Sequence, residues 1–215
     1  MAYFITSDLH LNHKKICGPD GFVETRRHFK DVDEMNEYLI EIHNKYVGKN
    51  DVTYNLGDIS MLSKNPKELI GMLNRMNGAI VIVKGNHDNR RFLKALMANN
   101  YRLPNGKDKF TVHEVGLTIK QKGVTYYLTH YPLDVGHMRN NLRSIHGHIH
   151  AYPSPLPNGI NIGIDSPELP VGTEFGQPLL LNDVIKQLEL KHRNHISTPE
   201  KHDERPLKGQ LSFDI

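Results

Sequence analysis

Five short segments of this 215-residue chain carry side chains that bind transition metals: Asp8-Leu9-His10, Gly57-Asp58, Gly85-Asn86-His87-Asp88, Thr129-His130 and His146-Gly147-His148-Ile149-His150. Mixed oxygen and imidazole donors suit borderline ions such as manganese, iron or zinc better than calcium. Two divalent cations ~3.5–4 Å apart need an anionic bridge, which a carboxylate supplies, and together they acidify a water so that hydroxide exists near neutral pH. The single cysteine, Cys17, leaves no thiolate set for a zinc-finger site. In Asp8-x-His10 and His148-x-His150 the spacing lets both members point to one side of an extended backbone and reach one cavity. Gly57, Gly85 and Gly147 precede ligand candidates and permit sharp turns or close backbone approach. Each segment alone reads as an ordinary turn, and only the set of five points to a metal centre.

Apolar runs precede these segments and must position them. Tyr3 to Ser7 reads as a buried strand ending at Asp8. Val32, Met35, Leu39, Ile42 and Tyr46 recur with helical spacing behind a capping box of Asp31 and Glu34. Asp51 to Leu56 reads as a strand, and Asn65-Pro66 opens a helix that carries Leu69, Ile70, Leu73 and Met76 and stops at Gly78. Ala79 to Val83 is a fully apolar strand, and Phe92, Leu93, Leu96 and Met97 form the next helix face, capped by Asp88 or Asn89. Beyond Phe110 the pattern becomes β-rich. Phe110 to Ile119 and Val124 to Thr129 read as a hairpin, and Arg143 to Ile149 and Ile160 to Ile164 as short strands. Leu181, Val184, Ile185 and Leu188 mark a last helix with Asn182 as its cap. Loops converge outside the carboxyl ends of strands in open α/β sheets, so five strand ends can face one site.

Residues 1–191 read as one domain, and residues 192–215 as a polar tail that is poorly ordered or needs a partner. No stretch approaches the ~20 apolar residues of a membrane span, and the lone cysteine fits a reducing compartment, so the expectation is a cytoplasmic protein. Its formal charge of +3 is spread along the chain, which does not favour nucleic acid as a partner and leaves small anionic substrates open. Fourteen histidines are too many to be ligands together; spacing alone separates those that carry chemistry. Nothing in the pattern sets the oligomeric state.

Taken in order, Asp-x-His, Gly-Asp, Gly-Asn-His-Asp, His and Gly-His-x-His resemble the calcineurin-like metallophosphoesterase superfamily over residues 8–150. The resemblance implies an α/β fold, a four-layer α/β/β/α sandwich, and phosphoester hydrolysis by a hydroxide bridging two divalent metals. It implies that Asp8, His10 and His150 bind the first metal, that Asn86, His130 and His148 bind the second, and that Asp58 bridges them. His87 is then the non-ligand histidine that touches phosphate and helps the leaving oxygen depart, as a general acid. Manganese is the first expectation for the ions, with iron, zinc or nickel as alternatives. The stretches around Asp8 and from Asp33 to Ser60 look most like small single-domain bacterial and phage phosphoesterases.

One departure bears on the substrate. Protein Ser/Thr phosphatases of this superfamily extend Gly-Asp into Gly-Asp-x-x-Asp-Arg-Gly, whereas Ile59, Ser60, Met61, Leu62 and Ser63 follow Asp58 here. The phosphate-clamping Arg and the Asp that pairs with the catalytic His are both missing. The expectation is therefore a phosphodiester in a small nucleotide-like substrate, ahead of a phosphomonoester, a nuclease and an inert scaffold. Another basic group must meet the phosphate. Arg139 and Arg143, bracketed by His130 and His148, are the candidates, together with His13 in the loop that leaves the site.

Overall fold

The computed structural model describes residues 1–61, 66–136 and 140–197. Strands β1 (Tyr3–Thr6), β2 (Val52–Asn55), β3 (Ala79–Val83) and β4 (Phe110–His113) run parallel, and β9 (Leu179–Leu180) pairs antiparallel with β1, in the order β4-β3-β2-β1-β9. A second sheet has the order β5 (Gly116–Gln121), β6 (Val124–Thr129), β7 (Leu142–His146), β8 (Gly159–Asn161). Helices α1 (Val32–Tyr46), α2 (Pro66–Arg75) and α3 (Arg90–Ala98) fill the crossovers of the first sheet, and α4 (Leu181–Ser197) follows β9. The α/β class with two sheets agrees with the sequence expectation.

Period-two alternation divides the core. Ile80 and Ile82 of β3 join Leu39, Leu69, Leu73, Phe92 and Leu96 from the three crossover helices. Val83, on the opposite face, joins Ile5 and Leu56 with Leu128, Ile145 and Ile160 of the second sheet. Val184, Ile185 and Leu188 of α4 close this second core, with α4 against β1, β8 and β9.

The predicted hairpin from Phe110 to Thr129 is divided. Glu114 and Val115 interrupt the first run, so that β4 pairs in parallel with β3, and only β5 forms an antiparallel pair with β6. Apolar alternation continues through the break because it reports burial and not the identity of the ladder partner. The turn from Gln121 to Val124 is a two-residue type, with φ of 49° at Lys122 and 80° at Gly123. Pairings β6–β7 and β7–β8 are parallel, so the second half is less hairpin-rich than its composition suggests.

Helix starts agree in part. Asp31 caps α1 by accepting from the Glu34 amide at 2.9 Å. Asn182 is not a cap: α4 begins at Leu181, and the Asn182 side chain accepts from Gln121 Nε2 at 3.3 Å. α4 continues through residue 191 to Ser197, and residues 198–215 of the expected tail lie outside the described residues. Among the described residues no helix is long and apolar enough to cross a membrane.

The carboxyl end of α1 is fixed to the turn between α2 and β3. His43 Nε2 lies 3.1 Å from the Asn77 carbonyl, and Asn44 Nδ2 donates to the Arg75 carbonyl at 2.9 Å. Burial holds the His43 imidazole down at about 4, below the ~6.5 of an unfolded chain. The unfolded state therefore takes up this proton first, so the contribution is complete above about pH 6.5 and lost as pH falls to about 4. Urea unfolding of wild type and His43→Gln across this window should show the wild type losing up to about 3 kcal/mol more than the variant. Identical pH slopes would contradict the neutral, buried assignment.

Candidate metal centre

Beyond β1 the chain runs alongside the chain that leaves β2. The amides of Asp8, His10 and Leu11 donate to the carbonyls of Gly57, Asp58 and Ile59 at 3.0, 2.9 and 2.8 Å. Leu9 and Leu11 enter the helix-side core, while Asp8 and His10 meet side chains from the second sheet. The sheets join at the same level, where Ser7 pairs in parallel with Gly163 and the Ile164 amide donates to the Ser7 carbonyl at 3.2 Å.

The backbone at the ligand pairs is not the extended one that the x-spacing suggests. Asp8 and His10 have φ of 61° and 51°, His148 and His150 of 73° and 46°, and Asp58 of 50°. Left-handed backbone costs a non-glycine residue roughly 1–2 kcal/mol. Five of the seven such residues described are expected metal ligands, so the strain is concentrated where function is expected. Two glycines have a steric cause. A Cβ on Gly85 would lie 2.2 Å from Asp58 Oδ1, and one on Gly147 would lie 2.3 Å from Asp8 Oδ2.

These loops bring the eight predicted side chains together. Asp8, His10 and His150 form one group able to hold a cation, and Asp58, His130 and His148 form another, with ligand atoms within 4.8 Å of one another in each. Asp58 Oδ2 lies 3.7 Å from His10 Nε2 and 3.4 Å from His130 Nε2, so it faces both groups. Asn86 Oδ1 reaches the second group, 2.9 Å from His130 Nε2. His87 stands at the rim with its side chain 33% exposed and Nε2 3.9 Å from Asp58 Oδ2; its amide donates to Asp58 Oδ1 at 2.9 Å.

The donors fit cations. His130 Nδ1 donates to the Leu56 carbonyl at 2.9 Å. Nε2 then faces Asn86 Oδ1 and Asp58 Oδ2, a set of acceptors that calls for positive charge at this point: a proton on the ring, which Asp58 favours, or a cation in its place. The Asp165 carboxylate, 3.1 Å from His150 Nδ1, likewise leaves His150 Nε2 as the donor. Both His10 nitrogens are buried without a hydrogen-bond partner among the described residues. Burial, aided by the Arg26 charge, lowers His10 to about 2 and so keeps it in the neutral, ligating form. Burial would raise Asp58, but the hydrogen bond and charge of His130 and the His87 amide outweigh it and hold Asp58 at about 2. Burial raises Asp8 against the opposing His130 and His150 charges and the Ser7 hydroxyl; its carboxylate also accepts from the His148 amide at 3.0 Å.

The phosphate-binding expectations fare differently. Arg143 is not brought to the site. It lies near the start of β7, buried, with NH2 and Nε each 3.0 Å from a Glu189 carboxylate oxygen of α4, whereas the ligands lie beyond the end of that strand. Arg139 lies outside the described residues. His13 does border the first group: its ring centroid is 5.5 Å from that of His10, and burial lowers it to about 4. His146 belongs to neither group, because its nitrogens face the Gly147 carbonyl at 2.9 Å and Ser154 Oγ at 2.8 Å.

Three supporting residues, Asp88, Arg26 and Asp165, have roles that escape sequence reasoning, whereas Asn89 is one of the two caps that the sequence offers for α3. Asn89 caps α3, accepting from the Phe92 amide at 2.8 Å. Asp88 instead accepts from the Ile59 and Gly85 amides at 3.0 and 2.9 Å, tying the Asp58 loop to the Asn86 loop. Arg26, fully buried, pairs with Asp165 at 2.5 Å and donates to the carbonyls of Asp8 and Leu9 at 2.6 and 2.8 Å. The one available signal was that Asp165, like Asp8, ends an apolar run.

Asp165 touches the first group alone, through His150. Calorimetric titration with Mn²⁺ should therefore resolve an Asp165→Asn effect on one of two binding steps, roughly 10- to 100-fold weaker, with the other changed little. Equal weakening of both steps, or of neither, would contradict this arrangement.

Known proteins are similar to this chain in sequence or in fold. A protein of unknown function from Aquifex aeolicus has the same fold, with a TM-score of 0.61 at 20% identity, covering 86% of this chain and 98% of that one. An uncharacterised protein of Methanocaldococcus jannaschii is 30% identical over 169 residues, covering 75% of this chain and 81% of that protein. The gene 66 protein of Mycobacterium phage L5 is 35% identical over 86 residues, 40% of this chain and 39% of its own. Residues 1–162, which include all eight grouped side chains, match the calcineurin-like phosphoesterase family, and the chain belongs to that family.

Proposed function

We propose that this protein hydrolyses a phosphodiester in a small nucleotide-like substrate, with two divalent cations held by Asp8, His10 and His150 and by Asn86, His130 and His148. Asp58 is the shared ligand, and manganese is the first candidate for both ions, ahead of iron, zinc or nickel. The observation that carries this reading is the position of Asp58 Oδ2, within 3.7 Å of a nitrogen from each group. Bound there, the cations supply neutralisation of phosphate charge and the acidity that makes water a nucleophile near neutral pH.

The chain's own residues set the rest. The Asp58 carboxylate orients His87 through the His87 amide and keeps its imidazole at the solvent-facing rim. From there His87 delivers a proton to the departing oxygen. The diester is favoured over the monoester by charge. A monoester carries nearly a second negative charge at neutral pH, and among the described residues Arg143 is engaged by Glu189 and Arg26 by Asp165.

Metal-stripped protein reloaded with Mn²⁺, Zn²⁺ or Mg²⁺ should turn over matched aryl phosphodiesters faster than monoesters. His87→Ala should lower kcat roughly 100-fold or more while retaining bound metal, whereas Asp58→Ala should lose both metal and activity. Absence of metal-dependent turnover on either ester and on a nucleotide panel would refute the reading.

A further inference from the structure

In the loop that follows Asp8 and His10 lies a cavity of about 620 Å³ lined by Lys14, Lys15, Asp20, Phe22, Lys30 and Asp33, among others. Its size is that of a small-molecule site, typically ~300–1,000 Å³. It is joined to the metal centre by a line of rings. Phe22 meets His13 edge-on at 5.5 Å between centroids, and His13 lies 5.5 Å from His10. Phe22 is 63% exposed, although a phenylalanine in a loop this close to a core cluster would gain by burial. His13 is only 9% exposed, and its Nδ1 has no hydrogen-bond partner among the described residues. An exposed aromatic face and an unsatisfied buried imidazole thus stand in sequence between the cavity and the expected phosphate position.

We infer that this cavity takes the nucleoside arm of the substrate, with the base stacked on Phe22 and His13 lying along the path to the phosphate. The inference rests on the phosphodiesterase reading above and names the group that reading leaves open. Stacking on an exposed ring favours a planar heterocycle over an alkyl chain, because the π-face pairs with any base. The charged rim is mixed, with Lys14, Lys15 and Lys30 alongside Asp20, Asp31 and Asp33. Such a rim offers donors and acceptors to the edges of a neutral base and ribose, and its near-zero net charge does not select a second phosphate.

The test uses two diesters with one nitrophenolate leaving group, a nucleoside nitrophenyl phosphate and methyl nitrophenyl phosphate, on the metal-loaded protein. Wild type should show a higher kcat/KM for the nucleoside diester. Phe22→Ala should lower that value roughly ten-fold and leave the methyl ester unchanged, while Phe22→Trp should preserve the preference. Since Phe22 is largely exposed, thermal unfolding should be unaltered. A Phe22→Ala loss that is equal on both diesters, or absent on both, overturns the inference. Failure of wild type on both diesters would count against the phosphoesterase reading itself. The cavity is then judged separately by titrating metal-free protein with a nucleoside monophosphate, whose affinity should fall roughly ten-fold in Phe22→Ala. No difference in that titration overturns it.

Discussion

The seam between the chain leaving β1 and the chain leaving β2 is the constraint on which the site depends. Three amide-to-carbonyl bonds, from Asp8, His10 and Leu11 to Gly57, Asp58 and Ile59, hold two loops side by side at strand-like spacing. Because Leu9 and Leu11 are drawn into the helix-side core, Asp8 and His10 are left on the other side, where the second sheet delivers His148 and His150. Asp8, His10 and Asp58 take left-handed conformations along this seam. The surrounding hydrogen bonds and core contacts must outweigh their strain.

Concentrating acids and imidazoles in a buried space raises an electrostatic problem that the chain answers with further buried polar groups. The fully buried Arg26 sits beneath the site, and its guanidinium is satisfied by Asp165 and by the carbonyls of Asp8 and Leu9. Removing one partner of such a pair would leave an uncompensated charge in low dielectric. Asp165 in turn sets the proton on His150, and Asp88 joins the loops of Asp58 and Asn86. The set of candidate ligands is therefore the inner part of a hydrogen-bonded network that extends through the loop at residue 26 and the segment after β8.

Sheet topology explains why one end of the molecule holds everything. β1 to β4 are parallel, and so are β6, β7 and β8, so their carboxyl ends, with the loops that follow, gather on one side. The Ser7–Gly163 bridge locks the two sets of ends together. A hairpin-dominated second half would have placed His130 and His148 at opposite ends of neighbouring strands.

The residue types and order of the five motifs, the apolar runs before them and the helical periodicities were legible along the chain. They depend on local covalent spacing, and so the eight grouped side chains and most elements could be named from sequence. The pairing of β4 with β3, the left-handed ligand backbone and the roles of Arg26, Asp88 and Asp165 were not legible. Each depends on partners distant in sequence: Asp165 lies 139 residues from Arg26, and Arg143 was removed from the site by Glu189, 46 residues away. By itself the sequence determined which donors are present and at which strand ends. Only the tertiary structure decided which charges neutralise one another, which residues take the left-handed backbone and which ring is left exposed, because burial and hydrogen-bond satisfaction are properties of the packed chain.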